Sequence, residues 1–309
     1  MDKSKQKTLY YRRKYRGVIG IDTKVPIKDQ YALSLAYTPG VAEVCTEIFE
    51  RPASSFSHSC RGNTVAVVSD GSAVRGSGLL GPEAVLPVLE NKSVLFKTFA
   101  GVDAFPIALS THNPSEVIES IALMAPTFGA VCLEDIASPD CFCIEEHLTR
   151  ALNIPVLHND QHVAAIEALG ALINACKLAG KKLEDISVVI CGAGAAGIAT
   201  AKLFIKAGIE DLVVCDRAGT IYKYRMERTN WAKAEIAKIT NPKQKKGTLK
   251  EALVGADAFI GFSAGGILTA EMVSSMADNP IVFALAVPVP EIIPAEAKKG
   301  GARIIATSR

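Results

Sequence analysis

Three apolar runs in this chain end in acids, and acids placed that way can hold a cation. Val131–Leu133 leads into Glu134-Asp135, Val156-Leu157 into His158-Asn159-Asp160, and residues 64–69 into Asp70. Where such runs are strands of an open parallel sheet, their carboxyl ends are where functional groups collect. Adjacent carboxylates joined by a third from a neighbouring strand make an oxygen-rich pocket suited to Mg²⁺ or Mn²⁺. The plainer reading, in which Glu134-Asp135 only caps the segment that follows, stays open at this point. His158 and His162 stand four apart, which lets them share a helical face. No acid stands next to the first histidine, so a zinc-protease arrangement fails, and packing or a place on a substrate rim suits them better.

A second group is built of glycine. Residues 188–197 read Val-Val-Ile-Cys-Gly-Ala-Gly-Ala-Ala-Gly, and Leu212 to Asp216 reads Leu-Val-Val-Cys-Asp. Gly192, Gly194 and Gly197 have the G-x-G-x-x-G spacing, with Ala193, Ala195 and Ala196 between them, and Asp216 follows Gly197 by 19 residues. A strand, a glycine turn opening a helix, and a second strand ending in an acid together form a dinucleotide-binding unit. The first glycine permits the tight turn, the second lets backbone approach a pyrophosphate, and the third lets helix and strand pack closely. The helix N-terminus supplies amide donors and a favourable dipole for the phosphates. Asp216 is placed to accept from the adenosine ribose and to repel a 2′-phosphate, which leans toward NAD. The adjacent Arg217 can pair with that phosphate, which keeps NADP open.

Elements must position these groups. A basic N-terminal helix, then turn signals over residues 18–31, lead to a loop entering a helix over Ser34–Phe49. Strands are expected at Thr64–Ser69, Ser93–Phe96, Asp103–Leu109, Gly129–Leu133 and Pro155–Leu157, with helices over Pro82–Asn91, Pro114–Ala125 and Cys143–Leu152. A long alanine-rich helix over Val163–Leu178 carries the chain into a second βαβ series from Ile186, with later strands at Ala258–Phe262, Ile281–Ala286 and Arg303–Ala306. Strands alternating with helices predict parallel sheets in both halves, an α/β fold with a first domain over residues 1–160 and a doubly wound, Rossmann-like domain over 161–309.

The 309 residues leave room for two full cores, and 49% hydrophobic with 21% charged residues fits a globular α/β protein. With 34 basic and 32 acidic residues, charge recommends neither nucleic acid nor an anionic membrane as partner; Lys243 to Lys246 reads as a solvated loop. No stretch of about 18 uncharged apolar residues suggests a membrane helix, and the charged N-terminus lacks a secretory core. Eight cysteines without a C-x-x-C, several inside apolar runs, suit a reducing cytoplasm; Cys141-Phe-Cys143 lacks partner ligands for a metal.

Several segments, in order, resemble the small bacterial and archaeal malic enzymes: Leu35-Ala-Tyr37-Thr-Pro-Gly-Val-Ala, Ser69-Asp-Gly, Pro87 through Lys92, Phe99-Ala-Gly-Val-Asp-Ala-Phe-Pro-Ile, Leu133-Glu-Asp-Ile, His158 to His162, and Gly192 to Ala199. The resemblance covers nearly the whole chain. It implies NAD- or NADP-linked, divalent-metal-dependent conversion of malate to pyruvate and CO₂ through oxaloacetate, and a homodimer. It further implies Lys92 as the base for the C2 hydroxyl, which must be unprotonated to act. Glu134, Asp135 and Asp160 match the metal ligands, the metal serving as a Lewis acid, and Tyr37 matches the acid that protonates C3.

Some positions depart from the family pattern. Asn159 stands where the family usually has an aspartate beside the lysine; an amide can hold geometry but cannot be a base. Val163-Ala164 replaces Gly-Thr, Leu79 falls in a glycine loop that has lost its acid, Ala264-Gly265-Gly266 replaces Ala-Pro-Gly, and Val287 replaces a polar Asn. The sequence stops at Arg309, where the family continues, so either a fragment or a shortened form is expected. Two other readings follow from these departures: a catalytically weak NAD(P)-binding homologue with a regulatory or assembly role, and an oxaloacetate decarboxylase or related 2-hydroxy-acid enzyme using part of the machinery.

Overall fold

The computed structural model describes residues 3–308 and divides into two units, Met1–His158 and Asn159–Arg309. The first opens with three helices, α1 (Lys3–Tyr15), α2 (Gln30–Ala36) and α3 (Gly40–Glu50), and a short α4 (Ser55–His58). It continues with β1 (Thr64–Ser69), α5 (Pro82–Ala100), β2 (Asp103–Ala108), α6 (Pro114–Met124), β3 (Ala130–Leu133), α7 (Asp140–Ala151) and β4 (Val156–His158). The strands form one parallel sheet in the order β2-β1-β3-β4. The two central strands, β1 and β3, are buried along nearly their whole length and read as near-continuous apolar runs rather than alternating ones. Val67, Val85, Leu89 and Cys132 form the core between β1, β3 and α5.

Residues 93–96 correct the sequence reading. They lie inside α5, which runs on to a left-handed Gly101, instead of forming a strand. Val94-Leu95-Phe96 has strand composition, but the buried positions are Val85, Leu89 and Ser93, spaced by four, which is one face of a helix. The Ser93 hydroxyl donates back to the Leu89 carbonyl at 2.9 Å, and Pro87 is accommodated within the helix.

The second unit begins with α8 (Asn159–Ala179), followed by β5 (Ser187–Cys191), α9 (Ala195–Lys206), β6 (Asp211–Asp216), a two-residue β7 (Gly219–Thr220) and α10 (Trp231–Ile239). Then come α11 (Leu249–Leu253), β8 (Ala258–Gly261), α12 (Ala270–Ser274), β9 (Ile281–Ala284), α13 (Pro294–Lys299) and β10 (Ile304–Thr307). The sheet order is β10-β9-β8-β5-β6-β7, parallel except for β7, which turns back against β6. Its core gathers Val189, Val213, Phe259 and Val282 from four strands. α8 starts at Asn159, four residues before the helix expected from sequence, and so takes in both Asn159 and Asp160. By length and composition α8 passes the test for a membrane span, but it packs along α9, with Leu172, Ala175 and Cys176 buried. No disulfide forms among the described residues.

Both sheets reverse direction at their first strand. β1 has β2 on one side and β3 on the other; β5 has β6 on one side and β8 on the other. The carboxyl ends of β1 and β5 are therefore topological switch points, where open α/β sheets leave a crevice for ligands.

Candidate metal centre and dinucleotide cleft

Strand register assembles the acids. Val68 pairs with Leu133, and Leu133 with His158. Asp70, Asp135 and Asp160 thus each stand two residues beyond one level of the sheet. Asp160 is held near that level by chain continuity with β4, since only Asn159 separates it from the strand. Glu134, Asp135 and Asp160 each offer a carboxylate oxygen, and the three oxygens lie within 4.8 Å of one another. Glu134 is 2% exposed and Asp135 5%. Buried like charges this close repel unless a cation joins them. Lys92 brings such a charge: it reaches from α5 to place Nζ 3.3 Å from Glu134 Oε2. Three hard oxygen donors in a buried cluster fit a divalent Mg²⁺ or Mn²⁺ rather than a thiophilic ion.

The backbone around this cluster is fixed. Asp135 has φ +51°, its carbonyl accepts from Ala73 N–H at 3.0 Å, and its Oδ2 accepts from Arg75 N–H at 3.0 Å. The loop after β1 is therefore pinned to the second acid of β3. Asp70 accepts from Ser72 N–H and Oγ, and its Oδ2 lies 3.5 Å from His112 Nδ1. His112 and Arg75 went unnoticed in the sequence because neither sits at a strand end. Glu145 Oε1 accepts from His158 N–H at 2.6 Å and fixes the end of β4.

Tyr37 caps α2 just before the cis Thr38–Pro39 bond, its side chain is 64% exposed, and no hydrogen bond links its hydroxyl to Lys92 or the acids among the described residues. Asn159 is the first residue of α8.

In the second unit, Cys191, Cys215 and Gly261 are in register, so Gly192, Asp216 and Phe262 meet at one edge of the sheet. A cleft of about 940 Å³ opens there, lined by Gly192, Ala193 and Gly194 on one side and by Asp216, Arg217 and Lys233 on another. Gly192 has φ +120°, a conformation glycine alone adopts without strain. Gly194 is the N-cap of α9, and Ala195 and Ala196 form its first turn. Gly197 meets the turn closely: a Cβ there would lie 1.8 Å from the Gly192 carbonyl oxygen. Gly197→Ala is therefore expected to push α9 off the turn, costing about 1–3 kcal/mol of stability and weakening NADH binding together with it. Denaturant unfolding and a fluorescence titration check both.

Two family patterns cover this chain in succession. The malic enzyme N-terminal domain matches residues 18–118 and the malic enzyme NAD binding domain residues 161–307. The bifunctional malic/malolactic enzyme of Bacillus subtilis is 50% identical over 305 residues, which are 99% of this chain and 74% of that protein. The chain belongs to the malic enzyme family. The NADP-dependent malic enzyme of Haemophilus influenzae is 47% identical over 284 residues, 91% of this chain but 37% of that protein. The crystal structure of the NAD-dependent malic enzyme of Thermotoga maritima superposes with a TM-score of 0.95 at 45% identity, covering 97% of this chain and 80% of that one. The chain is thus shorter than each of these malic enzymes. Of the positions singled out in the sequence, Leu79 and Val287 are exposed, Val163 lies in the second turn of α8, and Ala264 lines the cleft.

The cleft also holds what the sequence reading missed. Arg225 is 4% exposed and donates to Asp216 twice, Nη1 to Oδ1 at 2.9 Å and Nη2 to Oδ2 at 2.5 Å. Lys233 Nζ donates to Asp216 Oδ2 at 2.7 Å, and Ala218 N–H to Oδ1 at 2.8 Å. Burial pushes the Asp216 carboxyl up, but these donors outweigh it and bring it down to about 2. A signal was available in the sequence, since residues 217–233 carry five basic residues and one acid.

Proposed function

We propose that this chain carries out NAD(P)-linked oxidative decarboxylation of L-malate to pyruvate and CO₂. The observation that supports it most is Lys92 beside the Glu134, Asp135 and Asp160 oxygens at one sheet's switch point. A divalent cation held by those three carboxylates would supply Lewis-acid polarisation of the substrate's C2 oxygen, and the nicotinamide a hydride acceptor. Lys92 takes the C2 hydroxyl proton as the C2 hydride departs. Loss of the β-carboxylate as CO₂ leaves an enolate, which gains its proton at C3 from Tyr37. Asn159 supports Lys92 by geometry alone. The Gly192–Gly197 turn would hold the cofactor's pyrophosphate, and Asp216 and Arg217 would serve its adenosine end.

A homodimer is part of the proposal. It is supported by the exposed Tyr11, Tyr31, Leu35, Val41 and Phe49 on the N-terminal helices, an apolar surface of the kind that marks a subunit contact. The same contact would cover the exposed Tyr37. A reducing, cytoplasmic setting is supported by the buried thiols of Cys191 and Cys215, which burial pushes up and out of the reactive range.

The test is NAD(P)H production from L-malate with Mn²⁺, run beside Asn159→Asp and with chelator as control. Turnover that chelator abolishes, rising about 10-fold or more in Asn159→Asp, is the expected result. Silence from both proteins, with dinucleotide still bound, would overturn the catalytic reading.

A further inference from the structure

From the saturated Asp216 and the cations around it, we infer that the adenosine end of the cleft is built for a 2′-phosphate, so that the chain selects NADP over NAD. This rests on the dinucleotide reading above and deepens it. An acid at the end of the second strand favours NAD by accepting from the ribose hydroxyls and repelling a phosphate. Asp216 is not available for either task. A carboxylate offers about four acceptor positions, and all are used: Oδ1 by Ala218 N–H and Arg225 Nη1, Oδ2 by Arg225 Nη2 and Lys233 Nζ. A ribose hydroxyl would have to displace one of these donors, three of which belong to charged groups.

The acid's charge is likewise spent. Arg225 and Lys233 both pair with it, so two cations already answer one anion. Arg217 and Arg228 line the same cleft and are exposed, and neither guanidinium has a hydrogen-bond or ion-pair partner within the protein among the described residues. Four cations thus surround one carboxylate. A phosphate dianion matches that excess, and guanidinium groups match its geometry by bidentate donation. Lys233 adds a fixed point: its Nζ also donates to the Arg228 carbonyl at 3.0 Å, which ties the loop carrying Arg228 to the acid's neighbour. Arg217 and Arg228 are accordingly assigned as the specificity residues, with Arg225 and Lys233 positioning and neutralising Asp216.

Binding measured without malate or metal tests this apart from turnover. NADPH and NADH are titrated into the full chain by their fluorescence, with 2′,5′-ADP and 5′-AMP as competitors. NADPH is expected to bind at least about 10-fold more tightly than NADH, and 2′,5′-ADP to compete correspondingly better than 5′-AMP. Arg217→Ala and Arg228→Ala should each lower the NADPH-to-NADH affinity ratio about 10-fold. Equal binding of the two nucleotides, or variants that weaken both alike, overturns the 2′-phosphate site while leaving the dinucleotide cleft standing. Failure of both nucleotides to bind overturns the cleft reading and this inference with it.

Discussion

Lys92→Ala is expected to lower kcat for malate oxidation about 10³-fold, while NADPH binding stays measurable, since the cleft is lined only by residues 191–267. The ambiguity to resolve is that Lys92 also pairs with Glu134 Oε2 at 3.3 Å, so its loss removes a charge as well as a base. Lys92→Arg separates the two. Arginine keeps the cation beside Glu134 but does not give up its proton. If Lys92 is the base, both variants fall by about two to four orders of magnitude. If it serves only to pair Glu134, the arginine variant recovers most of the rate. Steady-state NAD(P)H production with Mn²⁺, on all three proteins, reads the difference.

Arg225→Ala is expected to cost about 3–5 kcal/mol in denaturant unfolding, the range for breaking a buried pair from one side. Arg225 is almost fully buried, holds both oxygens of Asp216, and also donates to the Gly219 and Thr220 carbonyls at 3.5 and 3.3 Å. Its loss leaves Asp216 to Lys233 and the Ala218 N–H, and two carbonyls without their charged donor. The effect should depend on pH in one direction. The Asp216 carboxyl is brought down to about 2 in the folded chain, against about 3.9 in an unfolded one. The pair's contribution is therefore complete above about pH 4 and is lost as pH falls through about 2. The gap between wild type and variant should narrow over that window and stay constant from pH 5 to 7. A gap independent of pH across it would remove Asp216 from the account and leave the carbonyl contacts and packing as the cause.

Much of this was legible from the residues because parallel strands announce themselves. Val65-Ala-Val-Val68 and Val188-Val-Ile190 are apolar without alternation, as strands covered on both faces must be, and the acids and glycines that follow them mark the switch points. What spacing could not express were partners far along the chain. Residues 93–96 have strand composition, and only the four-residue spacing back to Val85 reveals the helix. Asp216 reads as open to a ribose because its neighbours in sequence do not occupy it. The groups that do, Arg225 and Lys233, stand 9 and 17 residues away and arrive only through the path of one loop. The pairing of Lys92 with Glu134, across 42 positions, was likewise outside what spacing can express. Tyr37 is the opposite case: its motif marks it plainly, yet within one chain its side chain faces outward.

The left-handed backbone at Asp135 has a consequence for anyone improving this protein in the laboratory. At φ +51° an aspartate is tolerated, but glycine is more comfortable and asparagine equally so. Burial of its carboxylate near two others adds to the discomfort. Thermal challenge alone, applied to a random library, would therefore reward Asp135→Asn, which keeps an acceptor for the Arg75 N–H, and enrich folded, long-lived and idle proteins. Screening for heat resistance and screening for turnover pull in opposite directions at this residue, so the two must be imposed together if the acid is to survive the search.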